Sequence, residues 1–236
     1  AAQGPRQSDL EKVARATQRL GEEQYRNGKF TAALKSLLDA EKHLPDDPYL
    51  HNSLGLVYLA KNRPNLSVSH FKKALTLKPD FPQAQNNLGG AYMKLEQWDL
   101  AIETYEAVSA NLLYATPEMP LSNIGWAYLH QGRFKQAQRS FYQSLEIRPN
   151  FINAIHGLAS IHLKQRNWVK ALEFIDGVLR SNPGTAILHA DRAKAYEGLK
   201  EYKKAKSSWQ VVLRLVPMHS PLAKEAQKNL SRLEMQ

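Results

Sequence analysis

Asn52-Ser53, Asn86-Asn87, Ser122-Asn123 and His156-Gly157 stand at equivalent places along the chain, with Asn153 just ahead of the last pair. A side-chain amide carries donors and an acceptor. A row of them can therefore pair with a peptide backbone whatever side chains that peptide bears. Close to these residues runs a second row of large apolar ones: Leu56, Leu59, Met93, Trp126, Leu129 and Leu163. An apolar strip flanked by polar rails is the make-up of a partner-binding surface. Trp126 is singled out because aromatic anchors dominate the energetics of interfaces. A lone Asn on a helix surface, or a lone Leu on a helix face, is ordinary; the argument rests on their alignment.

Bond-making chemistry has no such support. The chain has no Cys, which removes disulfides, thiolate nucleophiles and Cys-ligated zinc. It has no phosphate-cradling glycine loop, no His-Glu-x-x-His and no Gly-x-Ser-x-Gly. The eight His residues lack metal-ligand spacing. His156 and His162 are too far out of phase to share a helical face, and His162 reads as a core histidine. The expectation is a non-enzyme with no catalytic residue, no metal and no cofactor. Asn65-Leu66-Ser67 and Asn229-Leu230-Ser231 match the glycosylation sequon, a short pattern that often arises by chance, and Ser67 is expected to be buried.

The formal net charge is +10 over 236 residues. The cations are spread out: Lys72, Lys73 and Lys78, then Arg133, Lys135, Arg139 and Arg148, then Lys200, Lys203, Lys204 and Lys206, and last Lys224, Lys228 and Arg232. A solvated outer helix face accounts for them, and an anionic docking surface is the alternative. Basic residues interleaved with stacking aromatics would point to nucleic acid. Here the aromatics occupy core positions, so nucleic acid is not an expected partner. No apolar run is long enough to cross a membrane, and the first residues hold no apolar signal-peptide core. The small, polar start, Ala1 to Ser8, reads as a disordered beginning of a mature or trimmed chain.

What positions these side chains is a 34-residue period. Leu54-Gly55, Tyr58, Phe71, Ala74 and Pro79 return as Leu88-Gly89, Tyr92 and Tyr105, and again as Ile124-Gly125, Tyr128, Phe141 and Pro149. Gly21, Gly55, Gly89, Gly125, Ala159 and Ala193 share one slot. A fixed period of this length means stacked helix pairs, none of which can bury its apolar face alone. Six units fit: 14–47, 48–81, 82–115, 118–151, 152–185 and 186–219. Each reads as a helix A, a tight turn and a helix B. Gly132 supplies a turn residue able to take positive φ. Asp47-Pro48 and Ser220-Pro221 supply N-caps followed by Pro at the first helical position. Residues 221–235 read as a capping helix with Leu222, Ala226, Leu230 and Leu233 on its apolar side. The fold class is all-α: a right-handed α-solenoid of six hairpins plus a C-terminal cap, one superhelix over 10–236 after a disordered segment 1–9. Two extra residues fall between the third and fourth units. They read either as a plain loop insertion or as an elbow at which Leu113 and Tyr114 pack down.

Gly or Ala at the eighth position of a unit, Tyr at the eleventh, Ala at the twentieth and Pro at the thirty-second resemble tetratricopeptide repeats. That resemblance implies helices A lining a concave groove that holds an extended peptide or a helix of a protein partner. Positions 2, 5, 6, 9, 12 and 13 would then face inward, which places Asn52, Leu56, Leu59, Asn86, Asn87, Met93, Asn123, Trp126, Leu129, Asn153, His156 and Leu163 in the groove. The family's carboxylate clamp needs Lys and Asn at set places. Gln18 and Glu22, then Asn52 and Leu56, stand there instead, so the clamp is disfavoured.

The irregular join, with Leu113-Tyr114, Pro117-Glu118 and Asn123-Ile124-Gly125, is also similar to the type IV pilus pilotins, the outer-membrane lipoproteins of the PilF, PilW and Tgl group. That likeness implies a secretin subunit as partner, a location at the periplasmic face of the outer membrane and a lipidated Cys ahead of Ala1 as the only tie to a membrane. The alternative is a generic peptide-binding adaptor of another complex, in the cytoplasm.

Overall fold

The computed structural model describes residues 7–111 and 114–235. Among them are thirteen helices and no strand. In chain order they are α1 (Gln7–Arg26), α2 (Phe30–Glu41), α3 (Pro48–Ala60), α4 (Pro64–Leu77), α5 (Pro82–Lys94), α6 (Trp98–Ser109), α7 (Glu118–His130), α8 (Phe134–Ile147), α9 (Ile152–Lys164), α10 (Trp168–Ser181), α11 (Ala186–Gly198), α12 (Tyr202–Leu215) and α13 (Pro221–Glu234). Odd-numbered helices up to α11 are the A helices and even-numbered ones the B helices. Helices fall where the period predicts them, the expected partners α1–α2, α3–α4, α5–α6, α9–α10 and α11–α12 pack on each other, and the fold is an all-α solenoid. α1 starts at Gln7, so residues 7–9, expected to be disordered, are helical; residues 1–6 lie outside the described part.

The turn from A to B is made the same way each time. Gly28, Asn62, Glu96, Gly132, Arg166 and Lys200 hold one repeat position, and all have φ between 57° and 73°. Left-handed backbone reverses the chain there, and a non-Gly residue adopts it at a cost of roughly 1–2 kcal/mol. Only two of the six are Gly. The Asp47 carboxylate accepts a hydrogen bond from the Leu50 N–H, and the Ser220 hydroxyl oxygen accepts one from that of Ala223. Both caps are followed by Pro, whose missing N–H costs nothing at a helix start.

The chain forms two compact units, one ending at Ala127 and the other beginning at Tyr128. In the first, α1 pairs with α2, α3 with α4 and α5 with α6, and each B helix packs on the following A helix as far as α5. Its core holds Leu37, Leu50, Leu54 and Val57, then Phe71, Ala74, Phe81 and Ala84. A Cβ on Gly55 would sit 2.5 Å from the Phe71 ring, and one on Gly89 would sit 2.6 Å from the Tyr105 ring. The Ser67 hydroxyl donates to the Gly55 carbonyl at 2.7 Å, and Ser67 is fully buried. Small residues on both helices therefore let the backbones approach, as the slot implies. Leu113 of the suggested elbow lies outside the described residues; Tyr114 is half-buried, with its N–H donating to the Asn111 carbonyl.

In the second unit α8 packs on α9, α10 on α9 and α11, and α12 on α11 and α13. Ile155, Ile175 and Leu188 form one cluster, and Ala193, Trp209, Val212, Ala226 and Leu233 another. α13 buries Ala223, Ala226 and Leu233 and half-buries Leu222 and Leu230, as expected of a cap. The Trp209 indole N–H donates to the Glu197 carboxylate, which also meets Arg232 of α13. His162 sits half-buried beside Phe174, with its Nδ1 buried and without a partner. Burial, and then the Lys170 charge, hold its imidazole below the ordinary histidine range. Leu129 corrects the sequence reading. It is 1% exposed, among the most buried large side chains. Position 12 in this unit thus belongs to the core rather than to a groove.

Three outcomes follow from this packing. Gly132 has open space around its Cβ direction but a φ of 73°. Gly132→Ala should cost about 1 kcal/mol in urea unfolding, whereas Gly184→Ala, with open space and no positive φ, should be neutral or stabilising. Leu129→Ala should cost about 3 kcal/mol, the loss for a fully buried Leu, where a groove residue would leave the unfolding midpoint unmoved. Third, the unfolded chain binds a proton at His162 that the native state resists. Stability is therefore kept above the unfolded histidine pKa of about 6.5 and falls as pH drops below it. Urea midpoints at neutral and mildly acidic pH should converge in His162→Phe relative to the parent.

Candidate functional site

Within the first unit the A helices α1, α3 and α5 lie side by side. The sequence period sets them one unit apart, so position 5 of one unit comes beside position 6 of the next. The Asn87 side-chain amide donates to the Asn52 Oδ1 at 2.9 Å, across a separation of 35 residues. The Ser53 hydroxyl donates to the Glu22 carboxylate at 3.0 Å, and Gln18 donates to the same oxygen at 3.1 Å. Of the amide row, Asn52 and Asn87 hold each other, while Glu22 gathers Gln18 and Ser53. Asn86 is half-buried, and its Oδ1 is buried without a partner. Asn123 hydrogen-bonds the Tyr105 hydroxyl, whose pKa burial pushes far up.

Apolar surface accompanies these groups. Leu56, Leu59, Met93 and Trp126 are all half-buried. Leu56 joins Glu22, Tyr25, Arg26 and Ser53 around a cavity of about 210 Å³. One carboxylate and one guanidinium stand there beside a Tyr ring and a Leu. The groups suit a side chain with an apolar stem and a polar end.

In the second unit α9 and α11 are neighbours. His156 Nδ1 lies 2.6 Å from Asp191 Oδ2, again 35 residues away. Asp191 is 1% exposed, and its Oδ1 is buried without a partner. Asn153 is exposed. Leu163 is half-buried against the Ile155 and Ile175 cluster. The structure thus brings Asn52 and Asn87 into contact, keeps Leu56, Leu59, Met93, Asn86, Asn123 and Trp126 partly accessible, and removes Leu129. Sequence reasoning missed Glu22 and Asp191. Asp191 was findable, since it holds the same repeat position as Ser53, Asn87 and Asn123. Glu22 was read only as a residue that breaks the clamp. The exposed Lys72, Lys73, Lys135, Arg139, Lys203, Lys204, Lys224 and Lys228 fit a solvated face. Among the described residues, no helix is long and apolar enough to cross a membrane.

Three tetratricopeptide repeat models match, over residues 19–80, 80–150 and 128–195. The chain is similar to the type IV pilus assembly protein PilF of Pseudomonas aeruginosa, at 24% identity over 65% of this chain and 62% of that protein. It is also similar to the BBSome complex member BBS4 of Bos taurus, at 21% identity over 80% of this chain and 36% of that one. It therefore spans about a third of the bovine relative and under two thirds of the bacterial one. The crystal structure of PilW, a widely conserved type IV pilus biogenesis factor, superposes with a TM-score of 0.75 at 21% identity, covering 91% of this chain and 98% of that one. With the alternating helices, the turn position repeated six times and the matched models in agreement, the chain belongs to the tetratricopeptide repeat family.

Proposed function

We propose that this chain is a protein-binding scaffold of the pilotin kind, which receives a segment of the type IV pilus secretin subunit and helps it assemble in the outer membrane. Matched tetratricopeptide models support the coarser reading, a protein-interaction scaffold. The finer one rests on one observation: PilF matches 65% of this chain in sequence, and the PilW structure superposes on 91% of it and 98% of its own length. The A-helix face supports it with chemistry. Half-buried Trp126 offers an aromatic anchor, while Asn86 and Asn123 offer amides beside it in the repeat order. On this reading the chain acts at the periplasmic face of the outer membrane, tethered through a lipid on a Cys ahead of Ala1. A generic adaptor of another multiprotein complex is the second reading, favoured by the likeness to a BBSome subunit.

Purified secretin subunit should be retained by the immobilised chain. Trp126→Ala should weaken that retention by about tenfold or more, the loss of an aromatic hot spot, with its helical circular dichroism unchanged. Asn86→Ala should weaken it less. Absence of any retention by the parent chain, with a partner from an unrelated complex retained instead, would leave the adaptor reading standing. Leu129 is unsuitable for this test because its truncation acts on the core.

A further inference from the structure

Spacing along the chain hides a cluster of ligand-type groups in the first unit. Glu41 ends α2, His51 lies in α3 and His70 in α4. One nitrogen of each imidazole and one carboxylate oxygen all lie within 4.8 Å of one another. His51 is fully buried. Its Nε2 is 2.7 Å from the Pro45 carbonyl oxygen. A carbonyl only accepts, so Nε2 carries the hydrogen and Nδ1 of the neutral ring is left with a lone pair. That lone pair faces His70 Nδ1 at 3.0 Å and Glu41 Oε1 at 3.7 Å.

The last repeat provides an internal comparison. His189 holds the same repeat position as His51 and makes the same contact, Nε2 to the Pro183 carbonyl oxygen at 2.7 Å. Its Nδ1, however, meets a ready donor, the Arg192 guanidinium, at 3.1 Å. Where Arg192 stands in that repeat, the second unit of the sequence has Leu54. The lock on a Pro carbonyl is thus a structural device that recurs. What differs at His51 is what surrounds the remaining nitrogen: a second imidazole and a carboxylate in place of a cation.

We infer that His51 Nδ1, His70 Nδ1 and the Glu41 carboxylate form a binding site for a borderline divalent transition-metal ion of the Zn²⁺ class. Two imidazole nitrogens and a carboxylate oxygen are a common zinc ligand set, and a fourth position is open to water. Tetrahedral coordination at ordinary Zn–N lengths puts ligand nitrogens about 3.3 Å apart, close to the spacings present. The His51 contact to Pro45 is the outer-shell hydrogen bond that fixes tautomer and ring orientation in metal-ligating histidines. For His70, binding requires its proton on Nε2, the ring's other neutral tautomer, so no net proton need leave the protein. His70 also stacks on Tyr58, with ring centroids 5.2 Å apart, which holds the ring in place. The ion would tie α2, α3 and α4 together, joining the first hairpin to the second.

The test is calorimetric titration of ZnSO₄ into tag-free chain stripped with EDTA. The parent should give a one-to-one isotherm, and Zn²⁺ should raise its Tm, since a ligand bound only by the native state stabilises it. His70→Gln and Glu41→Gln should each weaken binding by about tenfold or more and abolish the Tm rise. His219→Gln, at an exposed histidine elsewhere, should change neither. Co²⁺ should give the visible absorption of tetrahedral coordination in the parent and lose it in both ligand variants. No heat at millimolar Zn²⁺ overturns the inference. So does affinity that persists undiminished in His70→Gln and Glu41→Gln, since it would place the ion elsewhere. If one ligand variant fails to fold, the other carries the decision.

Discussion

A helix A can lie against its helix B only where a residue without bulk leaves room for the ring or branch that crosses between them. A Cβ at Gly21 would stand 2.7 Å from the Leu37 side chain, and at Gly55 and Gly89 it would collide with Phe71 and Tyr105. Ala159 and Ala193 fill the same slot later and are wholly buried. Everything else in the fold depends on this approach. It sets the distance within a hairpin, and through that distance the next helix A comes to rest beside the last. Side chains one repeat apart then become neighbours in space, which is why Asn52 touches Asn87 and His156 touches Asp191.

Polar groups between the A helices serve the stack before they serve a guest. The pairs Glu22 with Ser53, Asn52 with Asn87 and His156 with Asp191 each bridge adjacent A helices. A hydrogen bond of this sort adds little net stability, but leaving one partner buried and alone costs more. Such pairs therefore act chiefly on register, since a slipped hairpin would strand both groups. Capacity left for a ligand lies in what the pairs do not use: the Asn86 and Asp191 oxygens without partners. The same logic explains the histidines locked onto Pro45 and Pro183, which satisfy a carbonyl in the loop leading into helix A.

The period made the hairpins, the caps at Asp47 and Ser220 and the slot residues legible, because each follows from local chemistry repeated many times. A turn position was legible where Gly132 marked it and invisible at Asn62, Glu96, Arg166 and Lys200. These residues carry no sign of positive φ, and the flanking helices impose it. Leu129 was misplaced because a face assignment by repeat position treats every unit as identical; in its unit, position 12 turns into the core. The cluster of Glu41, His51 and His70 had no signature at all, since its ligands come from three helices at separations no linear motif describes. Amide positions could be read from the sequence, but their pairing could not, because it depends on the distance between neighbouring A helices.

Partner choice in such a scaffold has to reside where the period leaves freedom. Core slots fix residue size and so tolerate little variation, whereas inward positions are held less tightly. Position 9 shows the contrast in this chain: Glu22, Leu56, Gly90, Trp126, Ser160 and Lys194 occupy it in turn. Only one of these is a large aromatic, and the units before and after it in sequence carry Gly90 and the buried Ser160. Such variety at a single repeat position is where a repeat protein can encode specificity without changing its hairpins. It also explains how proteins as different as a pilus assembly factor and a BBSome subunit can resemble this chain to a similar degree. The shared part of the sequence builds the hairpins, and the part that names a partner is a handful of residues that such a comparison barely weighs.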